Sequence, residues 1–404
     1  MPKLLQIDSC LGILSTGRIA EYIAKIAKSQ GWECYIIHGS RFVGKSEQIH
    51  YCASSVIDEY KHFIESLLFD RHGLGSRMST KKVIKYIKEV NPDIIQLHCI
   101  HGYYINYKLL FEFISEINIP IVWTFHDCWA FTGHCSHFDS VNCMKWKVQC
   151  GNCPIIDKYP RSLKDNSSKN YSLKKSSFTS VNNMTIVPVS YWLENLTKQS
   201  FLNGYPTHVI HNGIDINIFK PTDSNIRQKL GIGLDDAMVL GIASEWGINK
   251  GIKEFIKLSR EDNIKVVMVG VTDKIKRILP NNIVAIGRTN NLKELADIYS
   301  AADIFVNPTY NDSFPTVNLE SIACGTPVIT YRTGGSPEAI DNDTGYVVDQ
   351  GDYSSLVLMI RKFMNLKFKE HHSEDCRNRA LQYFDRNVCY EKYIKLYNKL
   401  LKNN

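Results

Sequence analysis

The 404-residue sequence predicts an α/β protein with two doubly wound parallel sheets. A chain of this length makes two or three domains. Short runs rich in Ile and Val alternate with helical stretches along most of the chain, and the alternation occurs as two successive series. Strands that are buried on both faces and separated by helices form parallel sheets. The order of the elements therefore predicts two such domains, one after the other.

The first series predicts an N-terminal domain over residues 1–200. Its helical stretches carry apolar residues at three- and four-residue spacing, at 18–30, 79–90 and 104–117. Its strands are predicted at 4–7, 34–38, 93–98, 120–125 and 185–190. Residues 130–180 interrupt the alternation, and we expect a cysteine-containing insertion there, near the ligand-binding cleft.

The second series predicts a C-terminal domain over residues 201–375, after a break at Asn203, Gly204 and Pro206. Its strands are predicted at 208–211, 238–243, 264–270, 282–287, 303–308 and 326–330. Its helices are predicted at 250–260, 291–300, 316–323 and 353–367, with a last one at 378–402. Ligands of such sheets bind at the carboxyl ends of the strands. We therefore expect the site in a cleft between the two domains.

Composition and charge exclude several classes of protein. The chain is 44% hydrophobic and 22% charged, which excludes a disordered or fibrous protein. The net charge of +7 is too diffuse to indicate a nucleic-acid partner. No apolar run approaches 18 residues and the N-terminus does not resemble a signal peptide, so we expect a cytoplasmic protein with reduced cysteines.

Two basic stretches suggest contact with an anionic inner-membrane surface. The alternative is that they are ordinary solvated faces. The residues are Lys81, Lys82, Lys85 and Lys88 in one stretch, and Lys158, Arg161, Lys164, Lys169, Lys174 and Lys175 in the other.

The segment 312–325, DSFPTVNLESIACG, carries the clearest binding signal. Ser313 and Pro315 are typical of a helix start, and an apolar run follows them. A helix that begins at the edge of a sheet presents free N–H groups, here expected at 315–318, and these suit a diphosphate. Glu320 could then accept hydrogen bonds from ribose hydroxyls and Asp312 from a hexose. An ordinary strand–loop–helix connection is the alternative.

Three further turns follow predicted strands. Lys250 opens a predicted helix, where its charge would add to an anion site, although a solvated loop lysine is the alternative. Gly17, in the turn 15–18, permits close approach of a ligand to the backbone, or simply makes a tight turn. His126 and Asp127 directly follow the strand 120–125, where the histidine could hydrogen-bond a reacting sugar or be structural.

Two other motifs favour different chemistry. Cys135, Cys143, Cys150 and Cys153 are spaced so that four thiolates could hold a structural zinc ion, with His134 or His137 as a replacement ligand; free thiols or a redox pair are the alternative.

Residues 39–46, GSRFVGKS, match the phosphate-loop pattern and predict an alternative function as a P-loop NTPase or kinase. The match follows the second strand of the series, and the segment after it, EQIHYCASSVIDEY, is a poor phosphate-loop helix.

The chain resembles the retaining glycosyltransferases of family GT4 in a series of motifs that occur in the same order. They are HNGIDINIFKP (211–221), Lys250-Gly251, and DSFPTVNLESIACGTPVIT with Gly334-Gly335 after it. FHDCWAFTGHC and VPVSYWLENLTKQSF resemble bacterial members that build capsule and O-antigen polysaccharides. The resemblance implies the GT-B fold, in which two Rossmann-like domains face each other across a cleft. It places the acceptor in the first domain and the donor in the second, and it implies that a helix in 376–404 crosses back to the first.

The resemblance also implies a reaction and the residues for it. It implies hexosyl transfer with retention, from a UDP- or GDP-sugar to a lipid-linked oligosaccharide, without a catalytic metal. The implied catalytic residues are His126, Asp312 and Lys250. The implied donor-binding residues are Gly17, Arg18, Lys250, Arg288, Asp312, Ser313, Phe314, Thr316, Val317 and Glu320. Asp312 replaces the glutamate of the family, and Ser244 replaces its phosphate-binding arginine, for which Arg288 or Arg18 would have to compensate.

Overall fold

The computed structural model describes residues 1–233, 236–289 and 291–403. They form two compact units: one comprises Met1–His211 and the chain from Tyr390 onward, and the other comprises Asn212–Cys389. The chain leaves the first unit later than residue 200 because residues after the last strand of that unit still bond to it. His208 N–H donates to Ile186 O at 3.0 Å, and Ile210 N–H donates to Pro188 O at 3.2 Å. The predicted strand at 208–211 is therefore wrong: this segment is irregular and lies along the first sheet.

The first unit is a parallel sheet with helices. Its strands are β1 Lys3–Ile7, β2 Cys10–Leu11, β3 Glu33–His38, β4 Phe42–Val43, β5 Ile49–Cys52, β6 Ile94–Leu97, β7 Ile121–Phe125 and β8 Met184–Pro188. Its helices are α1 Leu14–Ser29, α2 Val56–Phe69, α3 Arg77–Val90, α4 Tyr107–Ser115, α5 Ser167–Phe178 and α6 Tyr191–Gln199. The main sheet has the order β5-β3-β1-β6-β7-β8, and β2 pairs with β4 separately. All these pairs are parallel, as predicted.

Two elements of this unit have no strong sequence signal. β5 lies at the edge of the sheet and three of its four residues are exposed, so it lacks the apolar run of a buried strand. α2 begins with a capping box, in which Ser55 Oγ accepts from Asp58 N–H at 3.1 Å. The P-loop alternative at Gly39–Ser46 is wrong, because the chain continues from this loop into β5 rather than into a phosphate-binding helix.

The insertion at 130–180 is packed rather than extended. It contains short 3-10 helices at Trp129–Phe131, Asp139–Val141 and Lys145–Lys147, followed by α5. Lys174 is not part of a basic surface, contrary to the sequence prediction. It is buried, its Nζ donates to Trp129 O at 2.7 Å, and it lies 3.5 Å from the centre of the Trp129 ring. Burial lowers the pKa of Lys174 to about 7.

The second unit contains another parallel sheet. Its strands are β9 Ala237–Ile242, β10 Ile264–Val269, β11 Val284–Ile286, β12 Ile304–Asn307, β13 Val328–Tyr331 and β14 Gly345–Val348. The helices from here on are α7 Ile226–Lys229, α8 Ile252–Leu258, α9 Asp273–Lys276, α10 Leu292–Ala301, α11 Thr316–Ala323, α12 Tyr353–Asn365, α13 Phe368–Tyr383 and α14 Arg386–Asn403. The strand order is β11-β10-β9-β12-β13-β14, which confirms two doubly wound α/β units.

The single helix predicted at 378–402 is two helices, α13 and α14, with a break at Phe384 and Asp385. The break forms because another segment bonds there: Ile214 N–H donates to Phe384 O at 2.9 Å, and Arg386 N–H donates to Ile214 O at 3.0 Å. α14 begins in the second unit and belongs to the first from Tyr390 onward. Within the described ranges, no helix is both long and apolar enough to cross a membrane.

Candidate functional site

The carboxyl ends of β9 and β12, neighbouring strands in the second unit, carry an ion pair. Lys250 follows β9, and Asp312 follows β12. Lys250 Nζ lies 2.8 Å from Asp312 Oδ2. The turn at Lys250 depends on Gly251, which has φ 71° and packs so closely that a Cβ would lie 2.4 Å from Pro308 Cγ. Residues 62 positions apart in sequence are thus brought together by the parallel pairing of their strands.

The lysine loop is also held by the loop after β12. Thr309 Oγ1 donates to Asn249 O at 3.1 Å, and Tyr310 N–H donates to the same oxygen at 2.9 Å. Lys250 Nζ lies 3.5 Å from Thr309 Oγ1. The side chains of Lys250 and Asp312 are 37% and 21% exposed, and a pair in such a position adds about 0–1 kcal/mol to stability. The pair therefore contributes little to folding, and both charges remain accessible to a ligand.

The N-terminus of α11 lies directly after Asp312. Pro315 is its N-cap residue, and no side chain caps the helix. The expected row of free N–H groups at 315–318 is shorter than predicted, because proline has no N–H and Asn318 N–H donates to Pro315 O at 3.2 Å. Thr316 and Val317 supply the remaining N–H groups of the first turn, and both residues are partly exposed.

A second turn holds the segment before α11. Gly335 N–H donates to Ser313 O at 3.1 Å. Gly334 has φ 52°, and a Cβ there would lie 1.7 Å from Asp312 O. Ser313 Oγ is buried and has no hydrogen-bond partner among the described residues. Phe314 is buried, and the centre of its ring lies 5.9 Å from that of Phe384.

Glu320 is on α11, and its Oε2 accepts a hydrogen bond from Tyr299 OH on α10 at 3.0 Å. Burial and the charge of Glu320 raise the pKa of Tyr299 well above its usual value, so the phenol remains a donor. Tyr299 was not predicted from the sequence, because it belongs to a different helix with no motif of its own. Its hydroxyl orients the carboxylate of Glu320.

Arg288, one of the two predicted substitutes for the missing phosphate-binding arginine, follows a different strand from either member of the ion pair. Arg288 is exposed, lies beyond the end of β11 and makes no ion pair with any described residue. β10 separates β11 from β9. Ser244 is exposed just after β9 and brings no charge in place of the family arginine.

The predicted glycine turn in the first unit is wrong. α1 begins at Leu14, so Gly17 and Arg18 lie inside the helix. The turn is made by Gly12, which has φ 62° and approaches Lys45 O so closely that a Cβ would lie 2.1 Å from it. Gly17 is required for packing, because its Cβ would lie 2.9 Å from Cys10 Cβ. Arg18 is exposed and forms no ion pair with the residues that the structure describes.

His126 directly follows β7, the neighbour of β6 in the first sheet. Its Nε2 is 3.0 Å from His98 Nδ1, and His98 Nε2 is 3.0 Å from Gln6 Oε1. Burial lowers the pKa of His126 to about 4, so the ring is neutral near pH 7. Asp127 Oδ2 lies 3.0 Å from His101 Nε2.

The pKa of Asp127 has opposing influences. Burial acts to raise it, but the charge of His101 and the hydrogen bonds from His101 and Trp129 outweigh burial and lower it to about 2. Asp127 is therefore a fixed negative charge beside the neutral His126.

The four predicted zinc ligands line one small cavity in the first unit, together with His134. No group of three or more His, Cys, Asp or Glu side chains in the described part of the chain is arranged to hold a metal ion. Cys150 Sγ instead accepts from Gly133 N–H at 3.2 Å, and Cys135 hydrogen-bonds Cys153. The structure therefore does not support the predicted zinc site, and none of these four cysteines forms a disulfide.

Two protein-family models match the chain. Residues 16–218 match Glycosyltransferase Family 4, and residues 223–382 match Glycosyl transferases group 1. A similar protein is the glycosyl transferase WcaC of Escherichia coli strain K12, assigned to colanic acid biosynthesis, which is 21% identical over 88% of this chain and 89% of its own length. A Campylobacter jejuni N,N'-diacetylbacillosaminyl-diphospho-undecaprenol alpha-1,3-N-acetylgalactosaminyltransferase is 30% identical over 38% of this chain and 43% of its own length.

Solved structures share the fold over the whole chain. Sucrose-phosphate synthase from Thermosynechococcus elongatus has a TM-score of 0.75 and 17% identity, with all of both chains covered. HepE from Anabaena, in complex with UDP, has a TM-score of 0.69 and 16% identity, over 99% of this chain and all of its own. The first family model covers half of the chain, and the fold matches throughout. The chain therefore belongs to glycosyltransferase family 4 and is a glycosyltransferase with the GT-B fold.

Proposed function

We propose that this enzyme transfers a hexose, with retention, from a nucleoside-diphosphate sugar to a lipid-linked glycan in cell-surface polysaccharide biosynthesis. One observation carries the assignment of the donor site: the accessible Lys250–Asp312 ion pair lies directly before the uncapped N-terminus of α11. A positive side chain and free backbone N–H groups together suit the diphosphate of such a donor.

In this proposal each part of the donor has its own contacts in the second unit. The diphosphate oxygens accept from Thr316 and Val317 N–H and from Lys250 Nζ. Asp312 accepts from a hydroxyl of the hexose, and Glu320, held by Tyr299, accepts from the ribose. The UDP complex of HepE supports a uridine nucleotide, and a guanosine nucleotide is the alternative.

Catalysis in this proposal is electrostatic. As the glycosidic bond breaks, negative charge develops on the leaving diphosphate, and Lys250 and the first turn of α11 stabilise that charge more in the transition state than before it. No protein nucleophile is assigned. Attack on the same face of the sugar gives retention, as family membership implies, and His126 contacts the transferred sugar.

In this proposal the first unit binds the acceptor and contacts the membrane surface. The name of the Campylobacter jejuni relative supports a diphospho-undecaprenol-linked acceptor. Lys81, Lys82, Lys85 and Lys88 are all exposed on α3, which supports binding to the anionic inner face of the membrane. Each exposed lysine near such a surface contributes about 1 kcal/mol. We expect sedimentation with phosphatidylglycerol vesicles at low salt and its loss when all four become Gln; equal sedimentation of both proteins would contradict this.

The donor site is tested by a thermal-shift screen of UDP, GDP, ATP and their common sugar conjugates. We expect stabilisation by UDP or GDP and their sugars, and its loss in Lys250→Met. Lys253→Met is the matched control, because Lys253 is exposed on α8 three residues further on. Loss of the response in both variants, or in neither, would contradict the proposed site.

A further inference from the structure

A chain of buried polar side chains runs through the first sheet to His126. It begins at Gln6 in β1, which is fully buried. Gln6 Nε2 donates to Ala20 O at 2.9 Å. Because a carbonyl oxygen can only accept, this bond fixes the orientation of the amide, and Gln6 Oε1 faces His98 Nε2 at 3.0 Å. His98 Nε2 therefore carries the hydrogen and donates it.

The hydrogen on His98 determines the next bond. Burial, with a contribution from the neighbouring His126, lowers the pKa of His98 well below its usual value, so its ring is neutral. A neutral ring that donates through Nε2 has a lone pair on Nδ1. His98 Nδ1 therefore accepts from His126 Nε2–H, across 3.0 Å.

His126 is left with one unused nitrogen. Its ring is neutral and Nε2 carries the hydrogen, so Nδ1 has a lone pair and can only accept. None of the residues that the structure describes donates to Nδ1, and the side chain is partly exposed. An ionised diphosphate has no hydrogen to donate, whereas a sugar hydroxyl has one.

We infer that Gln6 and His98 are positioning residues that fix His126 as a hydrogen-bond acceptor for a hydroxyl of the transferred sugar. The inference rests on the proposed function for the identity of the ligand, but not for the direction of the hydrogen bonds. Gln6 and His98 are buried, so they act through His126, by selecting one of its two neutral tautomers.

The tautomer is tested by nitrogen NMR of the full-length, histidine-labelled protein without ligand, with His126 assigned by its loss in His126→Gln. We expect hydrogen on Nε2 and none on Nδ1. Gln6→Met should reverse the chain, because His98 would lose its acceptor and instead donate through Nδ1, which moves the hydrogen of His126 to Nδ1.

The matched control is Gln96→Met. Gln96 lies opposite Gln6 in the β1–β6 register and is equally buried, but it bonds Thr124 Oγ1 and not His98. It tests for a general effect of losing a buried amide. Hydrogen on Nδ1 of His126 in the unaltered protein, a charged ring, or the same result for both variants would overturn the inference.

The ligand is tested by calorimetry with UDP-glucose and GDP-mannose, each compared with its nucleoside diphosphate alone. His126→Phe and Gln6→Met should weaken binding of the sugar nucleotide about 3- to 10-fold and leave binding of the diphosphate unchanged, as expected for one hydrogen bond. Gln96→Met should change neither. If neither these two sugar nucleotides nor any other conjugate of the thermal-shift screen binds, the proposed function fails while the NMR result still decides the tautomer. Binding that the two variants do not weaken would overturn the role in sugar recognition.

Discussion

Replacement of Lys250 by Met removes the positive charge of the proposed donor site and keeps the length of the side chain. A charge about 4 Å from a phosphate is worth about 1 kcal/mol in water and about 4 kcal/mol near a protein surface. Because Lys250 is partly exposed and paired with Asp312 at 2.8 Å, we expect a loss of about 1–3 kcal/mol, or about 5- to 150-fold in Kd for a nucleoside diphosphate.

The replacement should barely affect folding, because the ion pair is partly exposed, and the midpoint of urea unfolding should shift by an amount equivalent to less than about 1 kcal/mol. Calorimetric titration with UDP and with GDP measures the affinity. Asp312→Asn provides the opposite case: it leaves Lys250 unpaired, so diphosphate binding should be kept or improved while the contribution of the hexose is lost. A folded Lys250→Met protein with unchanged diphosphate affinity would refute the reasoning.

Three further predictions follow from contacts in the two units. Tyr299→Phe removes the hydroxyl that orients Glu320, and it should weaken nucleotide binding about 2- to 10-fold as measured by calorimetry. Unchanged affinity would contradict the assignment of Glu320 to the ribose. Gly334→Ala should lower the free energy of unfolding in urea by more than about 1 kcal/mol, because Gly334 has a positive φ and lies close to the backbone of Asp312. Gly204→Ala is the control and should not lower it, because no atom lies within 4 Å of the added Cβ. Equal effects of the two replacements would contradict this. Burial raises the pKa of Asp8 from 3.8 to about 6, so the folded protein holds this proton more tightly than the unfolded chain does. The stability gained from this proton is lost as the pH rises from about 4 to 6, and the loss amounts to about 3 kcal/mol. Asp8→Asn should remove that pH dependence in urea unfolding measured across this range, and an unchanged slope would exclude the assignment.

The sequence predicted the elements whose signals are local. Buried strands such as β1 and β12 appear as apolar runs, and α11 begins and ends where its residues indicate, at 316 and 323. β5 gave no signal because an edge strand does not need apolar residues on both faces. The segment 208–211 has strand-like residues, but it bonds along β8 at only two backbone positions and remains irregular.

The candidate site was predicted in part for the same reason. Lys250 and Asp312 follow strands, so their places at the sheet edge could be inferred from the order of elements, although their contact could not. Tyr299, Gln6 and His98 have no motif, because their roles depend on contacts between separate elements. Lys174 illustrates the opposite error: a lysine in a basic stretch looks exposed, but the aromatic ring and carbonyl of Trp129 hold it in the interior.

The most direct measurement is a crystal structure of the full chain with the nucleoside diphosphate that binds most tightly. We predict diphosphate oxygens within hydrogen-bond distance of Thr316 N–H, Val317 N–H and Lys250 Nζ, with the ribose at Glu320. A diphosphate bound elsewhere, with these groups bonded only to water, would contradict the proposed donor site.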